Sequence, residues 1–249
     1  IRLPESLPPG RRRSIGRRAV MESAKIVLSN RVTVLSTLAL TVLFGVFLSY
    51  IASSELIFSE VFDRGPQFPL IFGSIALVMA VGMFINSWLV GRYGVRGLIK
   101  TMILGYFLAS LSLASVVLLA GGAPGFWVFT LSLGVIVLFQ SILIPNLNTL
   151  AMAPMGAVAG IASALIGTVS TGLAALIGAF IDRLFDGTVV PLSLAFAVGG
   201  LLCFVVVRAI GDPDTPVNET MVGVARLDAA LDTPSIIHSP APLPGPVNG

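Results

Sequence analysis

No Asp, Glu, Lys, Arg or His occurs between Thr101 and Ile181. A water-soluble domain carries roughly a quarter charged residues and cannot leave so long an uncharged stretch in water. Only 11% of the 249 residues are charged and 55% are hydrophobic, with a mean hydropathy of +0.97. These values point to an all-α integral membrane protein. Pro69 to Val90 is likewise uncharged, and Asn86–Lys100, with Arg92, Arg96 and Lys100, separates the two apolar stretches. We read Asn86–Lys100 as a short basic loop between membrane helices, placed in the cytoplasm by the positive-inside tendency.

The apolar runs divide into six expected spans, at about 32–57, 69–90, 98–119, 126–144, 156–181 and 189–207. They make one transmembrane domain over 32–208, between a basic segment at 1–31 and a disordered tail at 209–249 rich in Asp, Pro, Thr and Ser. Pro69 opens the second span, where its missing donor is harmless. Gly121–Gly125 is a turn, and Phe126 and Trp127 begin the fourth span at an aromatic belt. Pro145 is expected to end that span after Ile144. Arg2, Arg11–Arg13, Arg17, Arg18, Lys25 and Arg31 precede the first span, whereas the outer loops hold only Arg64 and Arg183. Both chain ends are therefore expected in the cytoplasm. A twin-arginine signal at Arg12-Arg13 is disfavoured by the long apolar run and the further spans. An interfacial helix from Ala19 to Leu28 is compatible with the basic segment.

Several function classes drop out. The net charge of +3 sits where cytoplasmic loops belong, so no nucleic-acid partner is expected. Cys203 is the only cysteine and His238, in the tail, the only histidine. No disulfide, metal site, cofactor or intramembrane histidine chemistry is expected. With no Gly-x-Ser-x-Gly and no ligand cluster, neither is an enzyme.

The remaining candidates are polar or small. Glu55 lies about 36 Å along a helix from Arg31, against a hydrocarbon core of about 30 Å. It is expected at the far interface as an ordinary charge, with a proton site as the alternative. Gln140, Asn146 and Asn148 are candidate polar groups of a cavity, or part of a helix terminus. Asn86 is expected to bond a neighbouring helix. Gly156, Gly160, Ser163, Gly167, Thr171, Ala174 and Gly178 recur every three or four residues, one stripe of a helix that permits close backbone approach. This stripe is expected to serve packing, or sliding during a conformational change. Asp182 and Arg183 could pair in water. The sequon Asn218-Glu219-Thr220 falls in the tail, away from the glycosylation machinery.

Gly91-Arg92-Tyr93-Gly94-Val95-Arg96 resembles the loop signature between helices 2 and 3 of the major facilitator superfamily, although Gly91 stands where that signature has Asp. Asn86 ahead of it is closer to the drug-efflux branch named for bicyclomycin resistance, Bcr/CflA. Leu3-Pro4-Glu5-Ser6-Leu7 is similar to the segment that follows the sixth helix in drug-efflux members. Tyr50–Glu55 with Pro66, Phe68 and Phe72 resembles the branch's helix 7–8 region, with Glu55 where a Pro is common. The most specific match is Ala159-Gly160 with Ala162-Ser163-Ala164-Leu165 and Gly167, together with Asp186-Gly187-Thr188. The resemblance implies helices 7–12 of a proton-coupled multidrug exporter in the bacterial inner membrane. Its partners would be lipid, protons, small amphiphilic substrates and an N-terminal six-helix half absent from this chain. A non-transporting six-helix membrane protein, a remnant or partner subunit, is the alternative.

Overall fold

The computed structural model describes residues 17–211, apart from the side chains of 17–20 and 157. The Leu3–Leu7 match, Arg2, Arg11–Arg13, the Asn218 sequon, His238 and the rest of the tail lie outside the described residues. Those described are helical, without strands: α1 (Arg17–Ser29), α2 (Arg31–Leu56), α3 (Phe68–Leu119), α4 (Phe126–Met152), α5 (Ala159–Asp182) and α6 (Val190–Ala209). The segments Arg31–Val61, Gly65–Leu119, Phe126–Met152, Ala159–Asp182 and Val190–Ala209 are each long and apolar enough to cross a membrane.

Asn30 separates α1 from α2. Its side chain accepts the Thr33 N–H at 3.0 Å, capping the first turn of α2, as an Asn at this position does for orphan backbone donors. At the other end, α2 runs into a π turn over Ile57–Val61, and Asp63 takes a left-handed conformation (φ 52°). Phe58, fully buried, packs there against Phe62, Phe68, Phe126 and Phe129 at centroid distances of 6.0–6.4 Å. This aromatic cluster joins the start of α3 to the start of α4.

The expected basic loop at Asn86–Lys100 contracts to a break at one residue. Helical geometry runs through α3 except at Gly94 (φ 69°, ψ 162°), a region nearly confined to glycine. A straight 52-residue helix would measure about 78 Å, but α3 doubles back. Gly82, before the break, lies against Leu138 and Ser141 of α4, and Gly105, after it, lies against Phe139. Both arms therefore run beside the same level of α4.

Two further boundaries move. α4 does not stop at Ile144: it passes through Pro145 to Met152. Proline removes one ladder bond, but ending a helix in apolar surroundings would strand several backbone groups, a larger cost. The fifth helix begins at Ala159, after a 3-10 turn at Gly156–Val158.

α2 is the central element. It packs against α4, α5 and α6, while α3 packs against α4 and α6. Leu43, Leu133, Ile136, Val137, Phe196 and Cys203 are fully buried in this core. Polar links tie the α1 end of the bundle together: Thr33 Oγ1 donates to the Ala151 carbonyl at 2.9 Å, and Arg31 donates to the Ala209 carbonyl at 3.0 Å. The Arg31 cation thus satisfies an orphan carbonyl at the C-terminus of α6.

Candidate functional site

Three buried polar residues of α4, Gln140, Ser141 and Asn146, lie where α4 meets α2 and the first arm of α3. Gly82 brings that arm so close that a Cβ there would collide with the Ser141 hydroxyl and lie 3.2 Å from the Leu138 carbonyl. About one turn further along both helices, Asn146 Nδ2 donates to Asn86 Oδ1 at 2.6 Å and also to the Ile142 carbonyl at 2.6 Å. The neighbour expected for Asn86 is thus Asn146. Between helices in lipid such a bond contributes about 0.6 kcal/mol on average, up to about 1.7.

Gln140 is fully buried, and its Nε2 donates to the Leu43 carbonyl of α2 at 2.6 Å. Its Oε1 has no partner. Gln140 and Asn146 are therefore clamped between helices, whereas Asn148 is exposed and turned away from this seam. Of the three residues expected to share a polar cavity wall, two serve helix contact.

The seam leads to the Gly94 break. Tyr93, Gly94, Val95, Arg96 and Gly97 face Thr149, Leu150 and Ala153 across an open groove of about 370 Å³. Arg96 is half-buried there, while Gly91 and Arg92 are exposed. The Arg92 guanidinium lies 5.9 Å from the Trp88 ring centre and 5.8 Å from that of Tyr93. The motif residues thus form the turn between the two arms, with the Asn86–Asn146 bond bracing its approach.

The stripe on α5 divides. Ala174 and Gly178 are buried against α2, but Gly156, Gly160, Ser163, Gly167 and Thr171 are exposed. The buried line is Ala162, Ile166, Ser170, Ala174, Gly178 and Ile181. Each four-residue step advances about 40° beyond a full turn, so this line drifts across α5 and meets the small-residue stripe only at Ala174 and Gly178. There the contact is very close: a Cβ on Gly178 would lie 3.2 Å from both the Gly45 carbonyl and the Ser49 N–H nitrogen. Ser49 Oγ donates to Asp182 Oδ1 at 2.6 Å beside this contact. Asp182 thus turns to α2 rather than to Arg183. Sequence reasoning missed this pair, and the signal available was Ser49 one turn beyond Gly45.

Glu55 is exposed in the last turn of α2. Because α2 is unbroken from Arg31, the axial separation of about 36 Å stands, far from the seam. In the connection between α5 and α6, Asp186 accepts the Thr188 hydroxyl at 2.6 Å and its N–H at 3.1 Å. The bond from that hydroxyl, foremost, holds the Asp186 carboxyl below its ordinary pKa.

The arrangement offers a pinned helix pair at the seam, a glycine turn beside it and a half-uncovered face on α5. No family model, no curated protein and no solved structure matches the chain.

Proposed function

We propose that this chain is the six-crossing C-terminal half of a secondary transporter, a proton-coupled drug exporter of the Bcr/CflA type working by alternating access. Counting the two arms of α3 as separate crossings gives six, an even number that supports cytoplasmic chain ends, as does the distribution of Lys and Arg. In such transporters two six-helix halves enclose the substrate near the midplane. The observation that carries this reading is the uncovered small and hydroxyl face of α5: Gly160, Gly167 and Thr171 are exposed, and nothing lies within 4 Å of a Cβ built on either glycine. A face ending in lipid has no need of small residues, whereas one that closes on a second half does. That half supplies the other cavity wall and the proton-coupling carboxylate, and the transport involves no covalent chemistry.

The test is dye or antibiotic accumulation in cells that express the chain joined to a six-helix N-terminal half encoded directly upstream. Accumulation is expected to fall, and Gly167→Val to abolish the effect at unchanged membrane abundance. Glu55→Gln is expected to leave efflux nearly intact. If the joined protein reaches the membrane and accumulation does not change, the non-transporting six-helix alternative takes its place.

A further inference from the structure

An apolar groove of about 180 Å³ lies where α1, α2 and α5 meet. Val27 and Leu28 of α1, Val34 and Leu38 of α2, and Val169 and Leu173 of α5 line it. Three threonines also line it, but each hydroxyl is already spent on a carbonyl: Thr33 on Ala151, Thr37 on Thr33 and Thr41 on Thr37. The groove therefore presents hydrocarbon alone. From Thr33 to Thr41 it follows α2 for about 12 Å, long enough to seat much of an acyl chain.

α1 supplies what a bare apolar groove lacks. It packs on the bundle through Ser23 and Val27, both buried, but leaves Met21 72% and Leu28 69% exposed. Met21, Lys25 and Leu28 follow one another at helical spacing and so lie on one stripe. Lys25 is exposed in the middle of it. A cation between two exposed apolar side chains suits neither water nor hydrocarbon, but suits the headgroup boundary, where the stem lies in the apolar layer and the ammonium reaches phosphate.

We propose that this groove is a binding site for one anionic phospholipid, with an acyl chain between α2 and α5 and the headgroup phosphate on Lys25. The inference needs the membrane setting but not transport, so it stands or falls separately from the exporter reading.

Phosphatidylglycerol and phosphatidylcholine, each bearing a photoreactive group on the acyl chain, would be added to the full-length protein in nanodiscs. Phosphatidylglycerol is expected to label residues 33–41 and 165–173 in preference to phosphatidylcholine. At the apolar groove lined by Ile177, Phe180, Leu194 and Val198, the two lipids should label alike. Lys25→Gln should cut the headgroup preference at the first groove about fivefold, the effect of one cation near an anionic surface, and Lys25→Arg should retain it. Equal labelling by the two lipids at the first groove of the unsubstituted protein overturns the proposal. So does a preference that survives Lys25→Gln.

Discussion

The two ends of α5 carry the same kind of residue and are used in opposite ways. At the Asp182 end, Gly178 lies against the backbone of Gly45 and Ser49, and the Ser49–Asp182 bond sits beside the contact. Toward the start of the helix, Gly160 and Gly167 have nothing within 4 Å of where a side chain would begin. A small residue contributes to folding only where another element comes close enough to need it. In the reading proposed above, its presence elsewhere serves the approach of a second half.

The largest effect should come from filling the close end. Gly178→Val drives a side chain into backbone atoms, which cannot turn aside as a side-chain tip can. We expect a loss of about 3 kcal/mol, at the upper end of ordinary overpacking, measured by unfolding in micelles. Gly167→Val should change the stability of the chain by about 0.5 kcal/mol or less. Similar losses for the two variants would break the contrast between the ends.

The seam between α3 and α4 combines both devices, a glycine approach at Gly82 and a side-chain bond at Asn86–Asn146. A double-mutant cycle with Asn86→Ala and Asn146→Ala isolates the bond, with an expected coupling of about 1 kcal/mol. A coupling near zero would leave the glycine approach as what holds the seam, as it does at Gly178. Gln140→Met should matter less, by about 0.5 kcal/mol or less. It removes one hydrogen bond together with an Oε1 that has no partner, and those terms oppose each other. The Leu43 carbonyl keeps its place in the helical ladder of α2.

What could be foreseen follows from these contacts. The apolar spans were legible because each run between Arg31 and Ala209 holds about 18 or more residues with few or no charges. The turn at Gly94 was legible as a basic interruption, but not its narrowness, since Gly91 and Gly97 in the same stretch remain helical and only Gly94 breaks the helix. Pro145 misled because its local effect on the ladder was weighed without the apolar surroundings of the helix. Asn86 was legible as a residue seeking a partner, and Asn146 was singled out separately. Their pairing depends on α3 doubling back, which no local pattern encodes. The stripe begins at Gly156, in the 3-10 turn ahead of α5, and only Ala174 and Gly178 of it are buried, because the packing of α5 on its neighbours, absent from any single helix, decides where the line of burial runs.

The connection after the packed end of α5 permits a finer test. Asp186 accepts both the hydroxyl and the N–H of Thr188, and that hydroxyl in turn accepts the Val190 N–H at 3.2 Å, at the start of α6. The carboxyl is held below its ordinary value, so the ionised form is favoured in the folded chain. Its contribution is therefore complete above the unfolded value, about 3.9, and is lost as pH falls through the lower folded value. Hydrogen exchange at the Thr188 and Val190 amides should report this locally. Relative to Asp186→Asn, which supplies the uncharged form at every pH, protection in the unsubstituted chain should be greater at pH 6 and should converge on the variant toward pH 2. Asp186 is fully exposed, so the effect should be confined to this connection, leaving the Gly178 contact intact. A pH-independent ratio would mean that the turn is held by Gly187 and backbone geometry alone.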